Sequence, residues 1–141
     1  MNRNEELYRL LIEWLPNLAK WGQKAWNEEV PMALKFKAGG YMDLSVDLLD
    51  WRNSSFRIAL SHHYKHPSGD MIPDPDMEIE IDTATKTARA MTFQNEFVYN
   101  SLDQGGADVS KLSQSMDSFL ANWLRNIQEQ GFEPVQQTQN Q

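Results

Sequence analysis

Carboxylates and prolines gather in residues 66–78, a stretch that joins two predicted hairpins. Its four acidic residues are Asp70, Asp74, Asp76 and Glu78. Carboxylate oxygens are preferred ligands of hard cations such as Mg²⁺ and Ca²⁺. Two carboxyl groups can also divide general acid and base roles when their surroundings separate their pKa values. The stretch is therefore the first candidate for metal-assisted hydrolysis, as in a nuclease.

The spacing within this stretch does not match the calcium loop of EF-hand proteins. Counting from Asp74, the sixth position is Ile79 where Gly is required, and the twelfth is Thr85 where Glu is required. A structural interpretation accounts for the same residue types, because Pro fixes the backbone, Asp serves turns, and Pro protects a strand edge. We favour a rigid loop over residues 65–76, predict no bound cofactor, and keep a divalent metal ion as the alternative.

The three histidines all lie between Ser61 and His66. If Leu60 faces the core, His62 points the same way and His63 points the opposite way, so adjacent strand positions cannot both bind one ion. We predict that His62 lies at the edge of the core and that His63 is exposed. His63 with the four carboxylates then forms the metal-site alternative.

Other reaction classes have no signature in the chain. It has no Cys, no nucleophile-elbow Gly-x-Ser-x-Gly, no phosphate-binding Gly-rich loop and no paired-His zinc helix. The net charge of −7 argues against a protein that binds nucleic-acid phosphates. The polar first residues and the lack of a long apolar run predict a cytoplasmic protein that does not enter a membrane.

Two apolar stripes of helical period must position these candidates. The first runs from Leu7 to Leu18 and continues through Trp21 and Ala25, with Asn4 as its cap and an interruption at Pro16. The second runs from Leu112 to Ile127, starts at Asp108 or Ser110, and ends at Gly131, a residue suited to the left-handed cap.

Alternating apolar residues predict the strands between the helices. Three runs form a meander, with Ala38, Gly39 and Gly40 as the first hairpin loop. Between the first two runs the predicted pairs are Leu34 with Leu44 and Phe36 with Met42. Between the second and third runs they are Val46 with Ile58, Leu44 with Leu60, and Asp47 with Arg57. A second hairpin pairs Ile79 with Ala90, Glu80 with Arg89 and Ile81 with Ala88, and puts Met91 and Phe93 on the outer face.

These elements predict an α+β fold. Its antiparallel sheet has about five strands, a meander plus a hairpin, packed by an N-terminal and a C-terminal helix. One domain spans residues 1–132, and residues 133–141 form a disordered polar tail.

Several segments carry a resemblance to a known family: SHHY at 61–64, GDMIPDPDME at 69–78, MTFQN at 91–95, FLANWLRN at 119–126 and QGF at 130–132. Together with the residues between them, they cover about half of the chain and resemble an uncharacterised bacterial and phage family, a domain of unknown function. The resemblance implies bacterial or mobile-element origin and an intact domain. It implies no activity and no catalytic residue.

Our first functional hypothesis is a binding module with an unidentified protein partner. In this hypothesis the module is an accessory protein of a plasmid or phage. Its contact surface is predicted from the acidic stretch and the segment 93–99, with candidate residues His63, Asp70, Asp74, Asp76, Glu78, Gln94, Asn95 and Tyr99. The alternative is a metal-assisted hydrolase or nuclease that uses residues 70–78.

Overall fold

One antiparallel sheet and two α-helices make up the computed structural model, which describes residues 1–19, 33–52, 55–104 and 108–135. The helices are α1 (Arg3–Trp14) and α2 (Val109–Gln130), and a short 3₁₀ turn spans Leu102–Gln104. The strands are β1 (Ala33–Lys37), β2 (Leu44–Arg52), β3 (Ser55–Lys65), β4 (Met71–Asp82), β5 (Thr87–Ala90), β6 (Thr92–Gln94), β7 (Tyr99–Ser101) and β8 (Glu133–Pro134). The predicted α+β class, with a helix at each end, is confirmed.

The strand count was underestimated, because eight strands rather than about five form the sheet in the described ranges. Their order is β7-β6-β4-β3-β2-β1-β8, and β5 also pairs with β4. The missed strands β6, β7 and β8 have only two or three residues each, too few to show an alternating pattern.

The helix ends follow local capping chemistry. Helix α1 is capped by Asn2 rather than by Asn4: the Glu5 N–H donates to Asn2 Oδ1 (2.8 Å), and the Asn2 N–H donates to Glu5 Oε1 (2.9 Å). The missed signal was the Glu three residues after Asn2, which completes a capping box. The helix ends at Trp14, before Pro16.

Helix α2 ends as predicted. Gly131 adopts the left-handed conformation (φ 74°), and Phe132 after it is buried. Asp108 precedes the first turn, as one of the two predicted starts, but its side chain makes no capping hydrogen bond. The predicted continuation of α1 through Trp21 and Ala25 lies outside the described residues.

Both helices pack on one face of the sheet, which we call the inner face. The core formed there combines α1, α2 and every second residue of the long strands: Leu7, Leu11, Leu44, Val46, Ile58, Leu60, Met77, Ile79, Ile81, Leu120, Leu124 and Ile127. Burying these side chains is the main stabilising term for the fold, at roughly 1.5–3 kcal/mol each before the entropy cost.

The β4–β5 pairing confirms its predicted register, with Ile81 opposite Ala88 and Glu80 opposite Arg89. The other two predicted registers are wrong by two residues. Leu34 pairs with Val46 instead of Leu44, and Val46 pairs with Leu60 instead of Ile58.

Two local features cause these shifts. The β1–β2 connection takes residues 38–43 instead of three residues. Strands β2 and β3 pair as far as Arg52 with Ser55, so the chain reverses later than predicted, and a one-residue bulge between Leu48 and Asp50 offsets part of that difference. A shift of two residues leaves every side chain on its predicted face, so the apolar pattern cannot detect it.

The predicted outward orientation of Met91 and Phe93 is also wrong. Met91 is buried in the core, and the Phe93 ring packs edge-on against Phe119 of α2, with centroids 5.1 Å apart. The chain leaves regular strand geometry at Met91, between β5 and β6, and this break shifts the alternation.

Residues 133–135 belong to the sheet, so the predicted disordered tail does not start at Glu133. In β8, Glu133 pairs with Lys37 and Pro134 with Phe36, and the Val135 N–H donates to the Lys35 carbonyl (2.7 Å). Backbone pairing needs no apolar side chain, which is why composition missed it. Residues 136–141 lie outside the described part of the chain.

Candidate functional site

A row of polar residues crosses the face of the sheet opposite the helices, which we call the outer face. Directly paired positions give the order Ser45, Ser61, Asp76, Gln94 and Tyr99, over strands β2, β3, β4, β6 and β7. These positions alternate with core residues, so their side chains point away from the core. The row therefore defines a polar surface on the same strands that form the apolar core.

Asp76 lies in the middle of this row and is partly buried. Burial raises the pKa of its carboxyl; the charge of His63 lowers that pKa, and the charges of Glu78 and Asp47 raise it. Within the described residues no hydrogen bond to the Asp76 carboxyl is found. A carboxylate in this setting is less stable than in water and gains from a nearby cation.

Ser61 lies beside Asp76 and is only 2% exposed, although it points to the outer face. Its side-chain hydroxyl has no hydrogen-bond partner among the residues that the structure describes. Buried polar groups are nearly always hydrogen-bonded, so an exception calls for an explanation. We call Asp47, Ser61, His63, Asp76 and Glu78 together the acidic centre.

Arg57 ties one carboxylate of the acidic centre into an ion-pair network. Its guanidinium donates to Glu78 (3.0 Å) and to both oxygens of Asp103 (2.9 and 3.2 Å). The hydrogen bonds to Asp103, and then those to Glu78, raise the pKa of Arg57. The predicted pair of Arg57 with Asp47 is wrong, because Asp47 lies opposite Ala59. In the described ranges neither Asp47 nor Asp76 forms an ion pair.

The acidic centre is not arranged as a catalytic triad. No hydrogen bond joins Ser61, His63 and Asp76 to one another, whereas a nucleophile needs its base within hydrogen-bond reach. Across the described ranges, no group of three or more His, Asp or Glu side chains could hold a metal ion.

The acidic stretch is mostly strand, which corrects the loop predicted over residues 65–76. Only residues 66–70 form a turn, and β4 starts at Met71. Asp70 lies in that turn, where the Ser68 hydroxyl donates to its carboxylate (3.4 Å). Six residues of extended chain place it roughly 20 Å from Asp76. Asp70 therefore does not converge with the other carboxylates.

Asp74 is exposed and lies between Asp70 and the acidic centre along β4. A cis peptide bond joins it to Pro75, and the β3–β4 pairing shifts register beside it, between Ser61 and His63. The Tyr64 hydroxyl donates to Glu96 (2.8 Å), which raises the pKa of Tyr64, and the charge of Asp74 adds to that effect.

His62 and His63 point to opposite faces, as predicted. His62 is buried on the inner face, where its Nδ1 lies 3.0 Å from the Asp43 carbonyl and its ring contacts Trp123 and Phe132. His63 is partly exposed on the outer face beside Asp76.

The turn between β6 and β7 displays apolar side chains next to this surface. The Asn95 side chain accepts the N–H groups of Phe97 and Val98 (2.9 Å each), and the Asn95 N–H donates to the Val98 carbonyl (3.0 Å). Phe97 is 85% exposed, and Val98 and Tyr99 are also exposed. We call residues 95–99 the aromatic turn.

Of the sequence-predicted site residues, His63, Asp76, Glu78, Gln94 and Tyr99 lie on the outer face, and Asn95 shapes the adjoining turn. Asp70 lies apart from them in the 66–70 turn, whereas Asp74 lies on β4 two residues from Asp76. Sequence reasoning missed Ser61 and Asp47 as site residues. Their alternation with Leu60 and Val46 was the signal that placed them on the outer face.

A second region of the molecule combines a cavity with a buried carboxyl. A cavity of about 520 Å³ lies between α1, β5 and α2, and its lining includes Arg3, Arg89 and Asp117. Asp117 is 5% exposed and accepts the Ala90 N–H (2.8 Å) and the Asn4 amide (3.2 Å). Burial raises the pKa of Asp117, while these hydrogen bonds lower it.

A comparison with models of protein families gives a match. The model of a domain of unknown function, DUF6908, matches residues 15–133. No curated protein and no solved structure matches the chain. In addition, no helix in the described ranges is long and apolar enough to cross a membrane.

Proposed function

The chain belongs to the DUF6908 family, a domain of unknown function, and we propose that it is a protein-binding module whose contact surface is the aromatic turn together with the acidic centre. The partner is a protein segment that carries basic and apolar side chains. We propose further that the module works in the bacterial cytoplasm, as an accessory protein of a plasmid or phage, on the strength of the sequence resemblance.

The observation that carries this proposal is the position of Phe97. A fixed turn closed by Asn95, not a loose chain end, holds the ring 85% exposed to water. Burying such a ring in a partner is worth roughly 1.5–3 kcal/mol. Because the turn is already formed, little further conformational entropy is lost on binding. A fixed and exposed aromatic side chain is typical of an interaction hot spot.

The charge of the neighbouring surface indicates the chemistry of the partner. Gln94 pairs with both Asp76 and Tyr99, so the row leads from the acidic centre to the aromatic turn. Asp47 and Asp76 have no ion-pair partner in the described ranges, and the whole chain carries a net charge of −7. Electrostatic complementarity favours a basic segment and opposes an acidic one.

This proposal has more support than a metal-assisted hydrolase or nuclease built from residues 70–78. That reaction needs several ligands that converge on one ion. Asp70 lies in a turn and Asp76 in the middle of a strand, and no group of three or more His, Asp or Glu side chains that could hold a metal ion occurs in the described ranges. A binding surface needs no such convergence.

Selection from a peptide library displayed on phage tests the proposal. The full chain is immobilised, and the bound peptides are sequenced. We expect enrichment of peptides that combine Lys or Arg with a large apolar residue. Their binding should fall at least about tenfold for Phe97→Ala, which corresponds to about 1.4 kcal/mol.

Leu49→Ala is the matched control, since Leu49 is also exposed and apolar but lies on β2, away from the aromatic turn. Peptides should bind this variant as they bind the unaltered chain. The proposal fails if no peptide is enriched, or if Phe97→Ala and Leu49→Ala weaken binding equally.

A further inference from the structure

The acidic centre contains a buried hydroxyl, that of Ser61, without a hydrogen-bond partner. Ser61 is only 2% exposed, yet in the described part of the chain its hydroxyl makes no hydrogen bond. Its neighbours on the outer face are Ser45 and Asp76 across the strands, and Ala59 and His63 along β3. Leaving such a hydroxyl unsatisfied costs about 1–3 kcal/mol.

The carboxylates near Ser61 accept hydrogen bonds, whereas His63, also beside Ser61, can donate one but forms none with Asp76 or Ser61. The Asp76 carboxylate lies directly across from Ser61 and has no hydrogen-bond partner in the described ranges. Asp47 adds a second unpaired negative charge from β2. Glu78, by contrast, is already bound to Arg57. Two unpaired carboxylates and a buried hydroxyl therefore remain for a ligand.

A cation with N–H groups satisfies these groups together, because it supplies both hydrogen-bond donors and a compensating charge. An anion is repelled by Asp47 and Asp76. A divalent metal ion needs several ligands at short distance, and no such group occurs in the described ranges. Guanidinium and ammonium groups donate several hydrogen bonds over a wider area and carry a compensating charge.

We propose that the acidic centre binds one side-chain cation of the partner, an arginine guanidinium or a lysine ammonium, through the Asp76 carboxylate and the Ser61 hydroxyl. The site itself is a property of this chain, while its role in anchoring a partner rests on the proposed function. Asp47 supplies the long-range attraction. Phe97 then binds an apolar residue of the same segment, so that the two contacts together fix its orientation.

Small cations probe this site without any partner. We titrate the ¹⁵N-labelled full chain with ethylguanidinium and, separately, with n-butylammonium, which mimic the ends of Arg and Lys. We expect saturable shifts of the backbone amide resonances of Ser45, Ser61 and Asp76. The cation that binds more tightly identifies which of the two side chains the site prefers. Tetramethylammonium, which has charge but no N–H group, should cause no saturable shift at these amides.

Three variants test the assigned groups. Asp76→Asn should weaken binding of the preferred cation about tenfold, because a charge-assisted hydrogen bond becomes a neutral one. Ser61→Ala should weaken it several-fold and serves as the second test if Asp76→Asn perturbs the fold. Asp70→Asn is the matched control: it removes the same charge from the 66–70 turn and should leave the affinity unchanged.

The inference is overturned if neither cation produces saturable shifts, or if Asp76→Asn and Asp70→Asn behave alike. Equal binding of tetramethylammonium would also overturn it, since charge alone would then explain the shifts. The two proposals can fail separately. If the enriched peptides depend on Phe97 but contain no basic residue, the protein-binding proposal is supported and the cation site is contradicted. If the small cations bind but no peptide is enriched, the cation site is supported and the protein-binding proposal is contradicted.

Discussion

Asp117 and Asp76 are both carboxyl groups whose pKa is raised by burial, but they lie in regions of opposite character. Asp117 lies at the junction of α1, β5 and α2, and accepts hydrogen bonds from Ala90 and Asn4. Asp76 lies on the outer face, and no hydrogen bond to it is found in the described ranges. The first carboxyl holds three elements together, whereas the second makes no contact of this kind in the described ranges.

This difference teaches how to separate a structural carboxyl from a functional one. Burial alone does not distinguish them, since it raises the pKa of both. The hydrogen-bond partners do, because a group that is hydrogen-bonded within the fold gains less from a ligand than a group without partners. Substitution of each carboxyl therefore has opposite expected effects on stability.

The largest effect is expected from Asp117→Ala. The variant leaves the buried Ala90 N–H without its acceptor and breaks the contact of α1 with α2 through Asn4. We expect the free energy of unfolding to fall by about 3 kcal/mol. Urea denaturation measures it, with Asp108→Ala as the control, because Asp108 makes no side-chain capping bond on the same helix. An equal loss of unfolding free energy in the two variants would contradict the structural role of Asp117.

A smaller change of opposite sign is expected from Asp76→Asn. The substitution keeps the shape of the side chain and removes a charge that burial disfavours. We expect the free energy of unfolding at pH 7 to rise by no more than about 1 kcal/mol. The same denaturation experiment measures it. A clear loss of stability would mean that the Asp76 carboxylate supports the fold, and the comparison with Asp117 would break.

The stability gained by Asp76→Asn should depend on pH, in a direction set by the raised pKa of Asp76. Because the folded state raises the pKa of Asp76, it binds the proton more tightly than the unfolded chain does, and stability falls as pH rises between the two pKa values. Below the unfolded value of about 4, Asp76 is protonated in both states. The advantage of Asp76→Asn should therefore vanish in acid and grow as pH rises through the raised pKa.

The smallest effect is expected from Phe97→Ala. Its ring is 85% exposed, and the hydrogen bonds that close the aromatic turn come from Asn95 and the backbone. We expect the free energy of unfolding to change by less than about 0.5 kcal/mol. Thermal unfolding monitored by circular dichroism checks this. A larger loss would show that Phe97 supports the fold, and the hot-spot interpretation would weaken.

The sequence predicted which residues face the core more reliably than which residues pair. Alternation assigned Val46, Leu60 and Ile79 to the inner face, and all three are buried there. The same alternation is unchanged by a two-residue slip, so it could not place Val46 opposite Leu60. The predicted charge pair of Asp47 with Arg57 favoured the wrong register. In the structure Arg57 instead bonds to Glu78 and Asp103.

The candidate site could be predicted in part, for a similar reason. The unusual composition of residues 66–78 drew attention to Asp76 and Glu78, and the alternation of β3 separated His62 from His63. The burial of Ser61 could not be predicted, because it depends on the side chains that neighbouring strands place around it. The segment 93–99 was predicted as part of the contact surface, but the turn that fixes Phe97 could not be, since it depends on the side-chain hydrogen bonds of Asn95.

The short strand β8 has a consequence for solubility. An unpaired edge strand is a template for uncontrolled association between copies of a protein. Residues 133–135 occupy the edge of β1, and the strand they add contains Pro134, which has no N–H to offer a further strand. A chain cut after Phe132 would uncover β1, so expression designs for this protein gain from keeping this segment even though it contributes little to the core.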